Sequence, residues 1–94
     1  MNKREYLLTC FKEEANEVAQ AVSKCIRFTE NHEHQGSSNL DRLRIEITDF
    51  MTLMHMVEAE LGVVFDKEPS AGKAARTLMY MEHSKRLGAL DESN

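Results

Sequence analysis

The segment NLDRLRIEITDFMTLMHMVEAELG, residues 39–62, decides the fold of this 94-residue chain. Its apolar residues cover well over half the circumference of a helix, and they are Leu43, Ile45, Ile47, Phe50, Met51, Leu53, Met54, Met56 and Val57. A helix that is apolar nearly all round is buried on more than one side. Three helices of one short chain could hardly cover it, so we expect a second subunit to complete its burial, in a homodimer or a homotetramer.

Capping residues indicate where this helix begins and ends. Ser38 or Asn39 can serve as the N-cap of a helix that starts near Leu40, because short polar side chains accept hydrogen bonds from the free N–H groups of the first turn. Gly62 can form the C-cap after about Leu61, since glycine adopts the left-handed conformation at no steric cost.

A second helix is predicted upstream, over residues 3–28. Apolar residues recur there in alternating steps of four and three, at Leu7, Phe11, Ala15, Val18, Val22 and Cys25. The stretch TENHEHQGSSN, residues 29–39, has no such periodicity and contains a Gly-Ser-Ser cluster, which is typical of a surface loop.

A third helix is predicted from about Ala71 to Leu87, after a turn-rich connector that contains Pro69. Residues 88–94 are expected to form a frayed tail. The predicted fold class is therefore all-α: a single domain over residues 1–94, built as an antiparallel helical bundle of three main helices that oligomerisation completes.

Composition excludes several classes of partner. The net charge is −4, whereas nonspecific nucleic-acid binding requires an excess of Lys and Arg, so we expect no nucleic-acid partner. No segment approaches the roughly 20 apolar residues needed to cross a bilayer, and we expect no membrane association. Cys10 and Cys25 are too far apart along one helix to form a disulfide, which indicates reduced thiols. With no apolar run of signal-peptide length near the N-terminus, the protein is predicted to be cytoplasmic.

Two pairs of acidic residues lie beside the apolar stripes of the first two helices. Glu14 and Glu17 are three residues apart, and Glu14 lies about 50 degrees from the centre of its stripe if each residue turns about 100 degrees. Glu46 and Asp49 repeat this spacing, with Glu46 inside the apolar sector of the next helix. Each helix therefore offers one inward carboxylate and one at the edge.

Half-buried carboxylates are costly unless a partner offsets their charge. A divalent cation provides that partner, because hard oxygen ligands suit Mg²⁺ or Mn²⁺, and carboxylates at i, i+3 on facing helices build metal sites inside bundles. A single such pair is usually a solvated helix face. Two pairs on consecutive helices favour a divalent-metal site.

The same residues resemble a known family. EEANEVAQA at residues 13–21, a variable loop, and EITDFMTLMHMV at residues 46–57 are similar to the ExxE...ExxD signature of the MazG-like all-alpha nucleoside triphosphate pyrophosphohydrolases. That superfamily includes dimeric dUTPases, dCTPases and phosphoribosyl-ATP pyrophosphatase. The match covers residues from about 7 to 61, with weaker similarity in the basic segment KAARTLMYMEHSKRLG.

The resemblance implies that Glu14, Glu17, Glu46 and Asp49 bind Mg²⁺, with Mn²⁺ as a substitute. It also implies that a nucleoside triphosphate is hydrolysed between its alpha and beta phosphates, which gives a nucleoside monophosphate and pyrophosphate. Glu17, at the edge of the site, is a candidate general base. The candidate contacts to the substrate are Lys73 and Arg76, for the leaving pyrophosphate, and Lys24, which lies on the same flank of its helix as Glu17.

Two alternative functions stay open at the level of the sequence. A phosphoribosyl-ATP pyrophosphatase would share the fold but needs contacts to a second ribose phosphate. A catalytically silent helical module that binds a nucleotide or a protein would keep the acids as a vestige. The sequence His32-Glu33-His34 matches no helical metal motif, and histidines in a polar loop are usually solvated.

Overall fold

The computed structural model describes residues 1–91 and is mainly helical, as predicted. The elements in chain order are α1 (Lys3–Phe28), β1 (Glu33–His34), β2 (Ser37–Ser38), α2 (Asn39–Leu61) and α3 (Ala71–Arg86). Of the expected tail, residues 88–90 donate backbone hydrogen bonds to the end of α3, and residues 92–94 lie outside the described residues. Within residues 1–91, no helix combines the length and the apolar character that crossing a membrane requires.

Each helix begins at a polar N-cap whose side chain accepts a backbone hydrogen bond. Asn2 accepts from the N–H of Glu5 at the start of α1, Ser38 from Asp41 in α2, and Ser70 from Lys73 in α3. Ser38, rather than Asn39, is thus the cap of α2. Gly62 ends that helix in the left-handed conformation, with φ at 68°, as the sequence predicts.

Helices α1 and α2 form an antiparallel pair, and the side chains that α1 turns inward are not quite those of the predicted stripe. The part-buried and buried positions of α1 follow the seam Leu7, Phe11, Glu14, Val18, Ala21 and Cys25. Ala15 and Val22, which were predicted to face inward, are exposed. Glu14 therefore lies in the seam itself rather than about 50 degrees away from it.

Helix α2 shows the matching pattern. Its seam runs through Leu43, Glu46, Phe50, Leu53 and Val57, in steps of three and four. Three apolar side chains outside this seam, those of Ile45, Ile47 and Met56, are 44–47% exposed. One chain thus covers one face of α2 and leaves a second apolar face in solvent.

The segment predicted to be a surface loop contains a small β-hairpin. Glu33 pairs with Ser38 and His34 with Ser37, in antiparallel register. Gln35 and Gly36 both have positive φ, at 55° and 83°, which is the backbone of a type I′ turn. The predicted surface loop is exposed over residues 29–36, but its hairpin was not foreseen because two-residue strands are too short to produce an alternating pattern.

Asn39 links the end of α1, the segment before the hairpin and the start of α2 through hydrogen bonds. Its buried side-chain Nδ2 donates to the carbonyl oxygens of Thr29 at 2.9 Å and Lys24 at 3.4 Å, which are among the last carbonyls of α1 and its cap. Its backbone N–H donates to the carbonyl of His32 at 3.0 Å. Asn39 therefore donates to two backbone carbonyls near the end of α1 and fixes the start of α2.

Helix α3 does not join α1 and α2 in a three-helix bundle within one chain. None of its residues is buried, and Leu78 and Tyr80 are about 60% exposed, at 62% and 61%. The Cα radius of gyration is 17.1 Å, whereas a compact domain of this length has about 12 Å. The helix itself was correctly predicted, whereas its packing in a bundle that oligomerisation completes stays a prediction.

Glu58, near the end of α2, anchors the connector that leads to α3. Its Oε2 accepts from the Nζ of Lys67 at 2.6 Å and from the backbone N–H of Phe65 at 2.7 Å, and its Oε1 lies 3.0 Å from Nδ1 of His55. The residue is only 8% exposed. These partners lower the pKa of Glu58 to about 2, the hydrogen bond from Lys67 being the main cause and the one from Phe65 the next.

The carboxylate of Glu58 should stabilise the fold in a pH-dependent way. Because its pKa is about 2 in the folded chain and 4.5 without these partners, its stabilisation is complete above about pH 4.5 and is lost as the pH falls towards 2. We expect Glu58→Gln to lower the free energy of unfolding at pH 7, and the difference from the unmodified protein to shrink at pH 3. Urea unfolding followed by circular dichroism measures both values.

Glu60→Gln is the matched control for this change. Glu60 makes an ion pair with Lys3 across 3.4 Å, but the side chain of Lys3 is 78% exposed, and such surface pairs contribute little. Equal losses of stability in the Glu58 and Glu60 variants would show that the connector is not anchored by Glu58.

Candidate metal centre

Three carboxylates from α1 and α2 come together between the helices. One oxygen each of Glu14, Glu46 and Asp49 lies within 4.8 Å of the others. Because α1 and α2 run antiparallel and each contributes its inward acid to the shared seam, residues 32 positions apart in sequence meet side by side. Three of the four predicted metal ligands are thus brought into one cluster.

The cluster has an apolar neighbour on one side, and its three carboxylates differ in their exposure to solvent. The rings of Phe11 and Phe50 stack against each other, with centroids 4.9 Å apart and planes inclined by 17°. Phe11 is one turn before Glu14 and Phe50 one turn after Glu46, so the apolar stack lies beside the acids. The side chain of Glu46 is 12% exposed and Glu14 is half-buried, while Asp49 is exposed.

The electrostatics of the cluster disfavour its charged form. The pKa of Glu14 is raised above 4.5, first by its removal from water and then by the negative charges of Asp49, Glu46, Glu17 and Glu13. A carboxyl whose pKa is raised in the folded chain is more stable protonated, so at neutral pH its ionised form opposes folding. The site therefore carries negative charge that the protein only partly offsets.

The chemistry of this donor set fits a hard divalent cation. Carboxylate oxygens are the ligands that Mg²⁺ and Mn²⁺ prefer, and three of them at this separation can share one ion or a pair of ions. No histidine or cysteine belongs to the cluster, so the set does not favour zinc. In the part of the chain that the structure describes, no other group of three such side chains is close enough to hold a metal.

Glu17 lies at the edge of the cluster and does not join it. It is exposed, and its carboxylate is not among the oxygens that meet within 4.8 Å. It is nevertheless close enough for its charge to raise the pKa of Glu14. Three of the four acids thus converge, and Glu17 lies on the solvent side of the cluster. Its role as a metal ligand or general base stays a prediction.

The predicted substrate contacts occupy two different places. Lys73 and Arg76 are exposed on α3, which packs extensively against neither α1 nor α2, and within residues 1–91 neither forms an ion pair. Lys24 lies near the end of α1 and lines a cavity of about 570 Å³. A single chain therefore associates Lys24, but not the two residues of α3, with the helix pair that carries the acids.

Arg42 is the residue at this site that the sequence analysis missed. Its Nη2 lies 3.4 Å from Oε1 of Glu46, and it lines the same cavity as Lys24. The four-residue separation of Arg42 and Glu46 on one helix is the signal that could have revealed the pair. Arg42 partly offsets the charge of the cluster from one side.

Comparisons with protein-family models, with proteins of established function and with solved structures gave no match to this chain. The resemblance to the MazG-like pyrophosphohydrolases therefore rests on the acidic motifs and their context.

Removing the charge of Glu14 should stabilise the metal-free protein. In a buffer that contains a chelator, Glu14→Gln removes the repulsion from Glu46 and Asp49 and keeps the shape of the side chain, so the free energy of unfolding should rise. Urea unfolding at pH 7 tests this. Glu13→Gln, next in sequence but exposed, should change stability much less. A loss of stability in Glu14→Gln would show that the three carboxylates do not repel one another in the fold.

Proposed function

We propose that this chain is a Mg²⁺-dependent nucleotide pyrophosphohydrolase that converts a nucleoside triphosphate to the monophosphate and pyrophosphate. One observation carries the proposal: Glu14, Glu46 and Asp49 converge from two facing helices to within 4.8 Å. A phosphoanhydride substrate is an anion, and an acidic cluster attracts an anion only when cations occupy it. Mg²⁺ coordinates carboxylates and phosphates at the same time, so it would allow the acidic cluster to bind an anionic substrate.

In the proposed reaction, water attacks the alpha phosphorus, and the beta and gamma phosphates leave together as pyrophosphate. The water oxygen forms a bond to the alpha phosphorus, the bond from that phosphorus to the bridging oxygen breaks, and this oxygen leaves with its electron pair on pyrophosphate. The proton of the water passes to solvent or to a carboxylate. When bound, Mg²⁺ would supply charge neutralisation of the phosphate oxygens and activation of the water.

The residues of the chain have separate tasks in this proposal. Glu14, Glu46 and Asp49 hold the cation, while the stacked rings of Phe11 and Phe50 keep bulk water away from their inner side. Glu17, exposed at the rim, can receive the proton that the water loses, since a carboxylate there can exchange it with solvent. The free cysteines favour a reducing compartment, and we place the enzyme in the cytoplasm.

The two alternative functions, a phosphoribosyl-ATP pyrophosphatase and a catalytically silent module, have less support from the residues of the chain. A phosphoribosyl-ATP pyrophosphatase would use the same acids, but the sequence shows no clear motif for contacts to a second ribose phosphate. A silent nucleotide- or protein-binding module would gain nothing from three carboxylates whose repulsion opposes folding. Retaining such a cluster is easier to understand when the cation that it binds takes part in a reaction.

We further propose that a second copy of the chain covers α3 and the outer face of α2. A helix owes most of its stability to the packing of its apolar face, and α3 has no covered face within the described part of one chain. The exposed apolar side chains of both helices are of the kind that fill subunit interfaces: Ile45, Ile47, Met56, Leu78, Met79, Tyr80 and Met81. A homodimer or homotetramer would bury them.

Product analysis tests the proposed activity. Incubation with a panel of NTPs and dNTPs and Mg²⁺ should give the monophosphate and pyrophosphate, and a chelator should abolish the reaction. Glu46→Gln should reduce turnover by about 100-fold or more, because the metal supplies several kcal/mol of transition-state stabilisation and each 1.36 kcal/mol is about a factor of ten. Ion chromatography measures both products.

Glu13→Gln is the control, since Glu13 is an exposed acid of α1 outside the cluster. Release of a diphosphate and phosphate would contradict cleavage between the alpha and beta phosphates. Absence of turnover with every nucleotide would favour the silent module.

Sedimentation velocity tests the proposed assembly. At micromolar concentration the protein should sediment as a dimer or a tetramer, and Leu78→Glu, which places a charge on the apolar face of α3, should shift the equilibrium towards the monomer. Thr77→Glu introduces the same charge at the neighbouring exposed position and should have a smaller effect if the face of α3 that carries Leu78 is the one covered. A stable, folded monomer would contradict the assembly.

A further inference from the structure

A cavity of about 570 Å³ lies at the end of the helix pair next to the hairpin, and Arg42, which lines it, contacts Glu46 of the acidic cluster. Its walls come from the end of α1, the β1–β2 hairpin and the start of α2. Small-molecule sites typically measure about 300 to 1,000 Å³, so the cavity is large enough for a group of that size.

The charge of the cavity is opposite to that of the cluster. Lys24 and Arg42 line it, and no carboxylate of residues 1–91 does. His32 and His34 line it as well, and because alternate residues of an extended strand point to the same side, Glu33 between them is directed away. The cavity therefore presents two permanent cations and two imidazoles, all of which can donate hydrogen bonds to an anion.

Local structure holds these donors in place. The type I′ turn at Gln35 and Gly36 folds the hairpin back over the helix ends. Asn39 fixes both sides of the cavity, since its side chain binds the carbonyl of Lys24 and its backbone binds that of His32. The histidines are thus positioned by a hydrogen-bonded frame rather than carried on a free loop.

Arg42 connects the cavity to the cluster. Its Nη2 is 3.4 Å from Oε1 of Glu46, a long contact, and its side chain is 56% exposed. A guanidinium has five N–H donors, so this single contact leaves most of them available to a ligand in the cavity. Arg42 can therefore contact Glu46 and an anion in the cavity at the same time.

We propose that this cavity binds the pyrophosphate part of the substrate, with Lys24 and Arg42 as its charged contacts and His32 and His34 as further donors. The inference rests on the proposed function, in which the alpha phosphate lies at the acidic cluster. The beta and gamma phosphates carry most of the charge of the substrate and extend away from the alpha phosphate, and the cavity that Arg42 joins to Glu46 provides the complementary charge. It assigns to these residues the task that the sequence analysis gave to Lys73 and Arg76.

Binding of inorganic pyrophosphate to the 94-residue chain tests this assignment without turnover. In a ¹H–¹⁵N NMR titration, the backbone amides around Lys24, the hairpin and Arg42 should shift, and those of residues 73–76 should not. Lys24→Gln and Arg42→Gln should each weaken the affinity by about tenfold or more, as expected for the loss of a hydrogen bond to a charged group. Both side chains are exposed, so the spectra of the variants should retain the dispersion of the folded protein.

Lys12→Gln and Arg44→Gln are matched controls that remove the same charges from exposed positions of α1 and α2 outside the cavity, and they should leave the affinity nearly unchanged. Equal weakening in controls and cavity variants, shifts confined to α3, or shifts caused by a nucleoside but not by pyrophosphate would each overturn the assignment. Turnover of nucleotides together with any of these results would leave the proposed activity intact. Pyrophosphate binding in the cavity without turnover would instead refute the activity and retain the anion site.

Discussion

Two carboxylates that lie in the seam between α1 and α2 are the main constraint on the structure. Glu14 and Glu46 occupy positions where the periodicity of each helix calls for an apolar side chain, and they face one another instead of solvent. Their repulsion opposes the packing that brings them together, as the raised pKa of Glu14 reflects. The helix pair must therefore be held by other contacts, among them the stacked rings of Phe11 and Phe50 and the nearly inaccessible Val57.

Local signals made the helices predictable. Short polar residues before each helix, Gly62 after α2 and the spacing of apolar residues depend on neighbours within a few positions, and the structure agrees with them. The same logic misplaced the seam of α1 by one residue at two points. Choosing the more apolar neighbour favoured Ala15 over Glu14 and Val22 over Ala21, but the face that α2 covers includes the charged residue. Periodicity is least reliable where a site requires a charge inside the core.

Other features could not be predicted because they depend on contacts between distant residues or between chains. The hydrogen bonds of Asn39 to the end of α1, the burial of Glu58 under its own connector and the contact of Lys24 and Arg42 with one cavity all require the folded arrangement. The place of α3 is a stronger case. None of its residues is buried within one chain, and its burial by a second copy stays a proposal.

Under the proposed function, the two charged regions at this end of the helix pair would act on the substrate in opposite directions. The acids would repel phosphate and bind cations, whereas Lys24 and Arg42 would attract phosphate, and Arg42 lies 3.4 Å from Glu46. An anion in the cavity would lower the attraction that Arg42 exerts on Glu46, and a cation at the acids would lower their repulsion of the anion. By linkage, each ligand raises the affinity of the other by the same factor. Under the proposed function, the arrangement would therefore favour joint binding of cation and phosphate over binding of either alone, as a metal-dependent phosphoanhydride hydrolase requires.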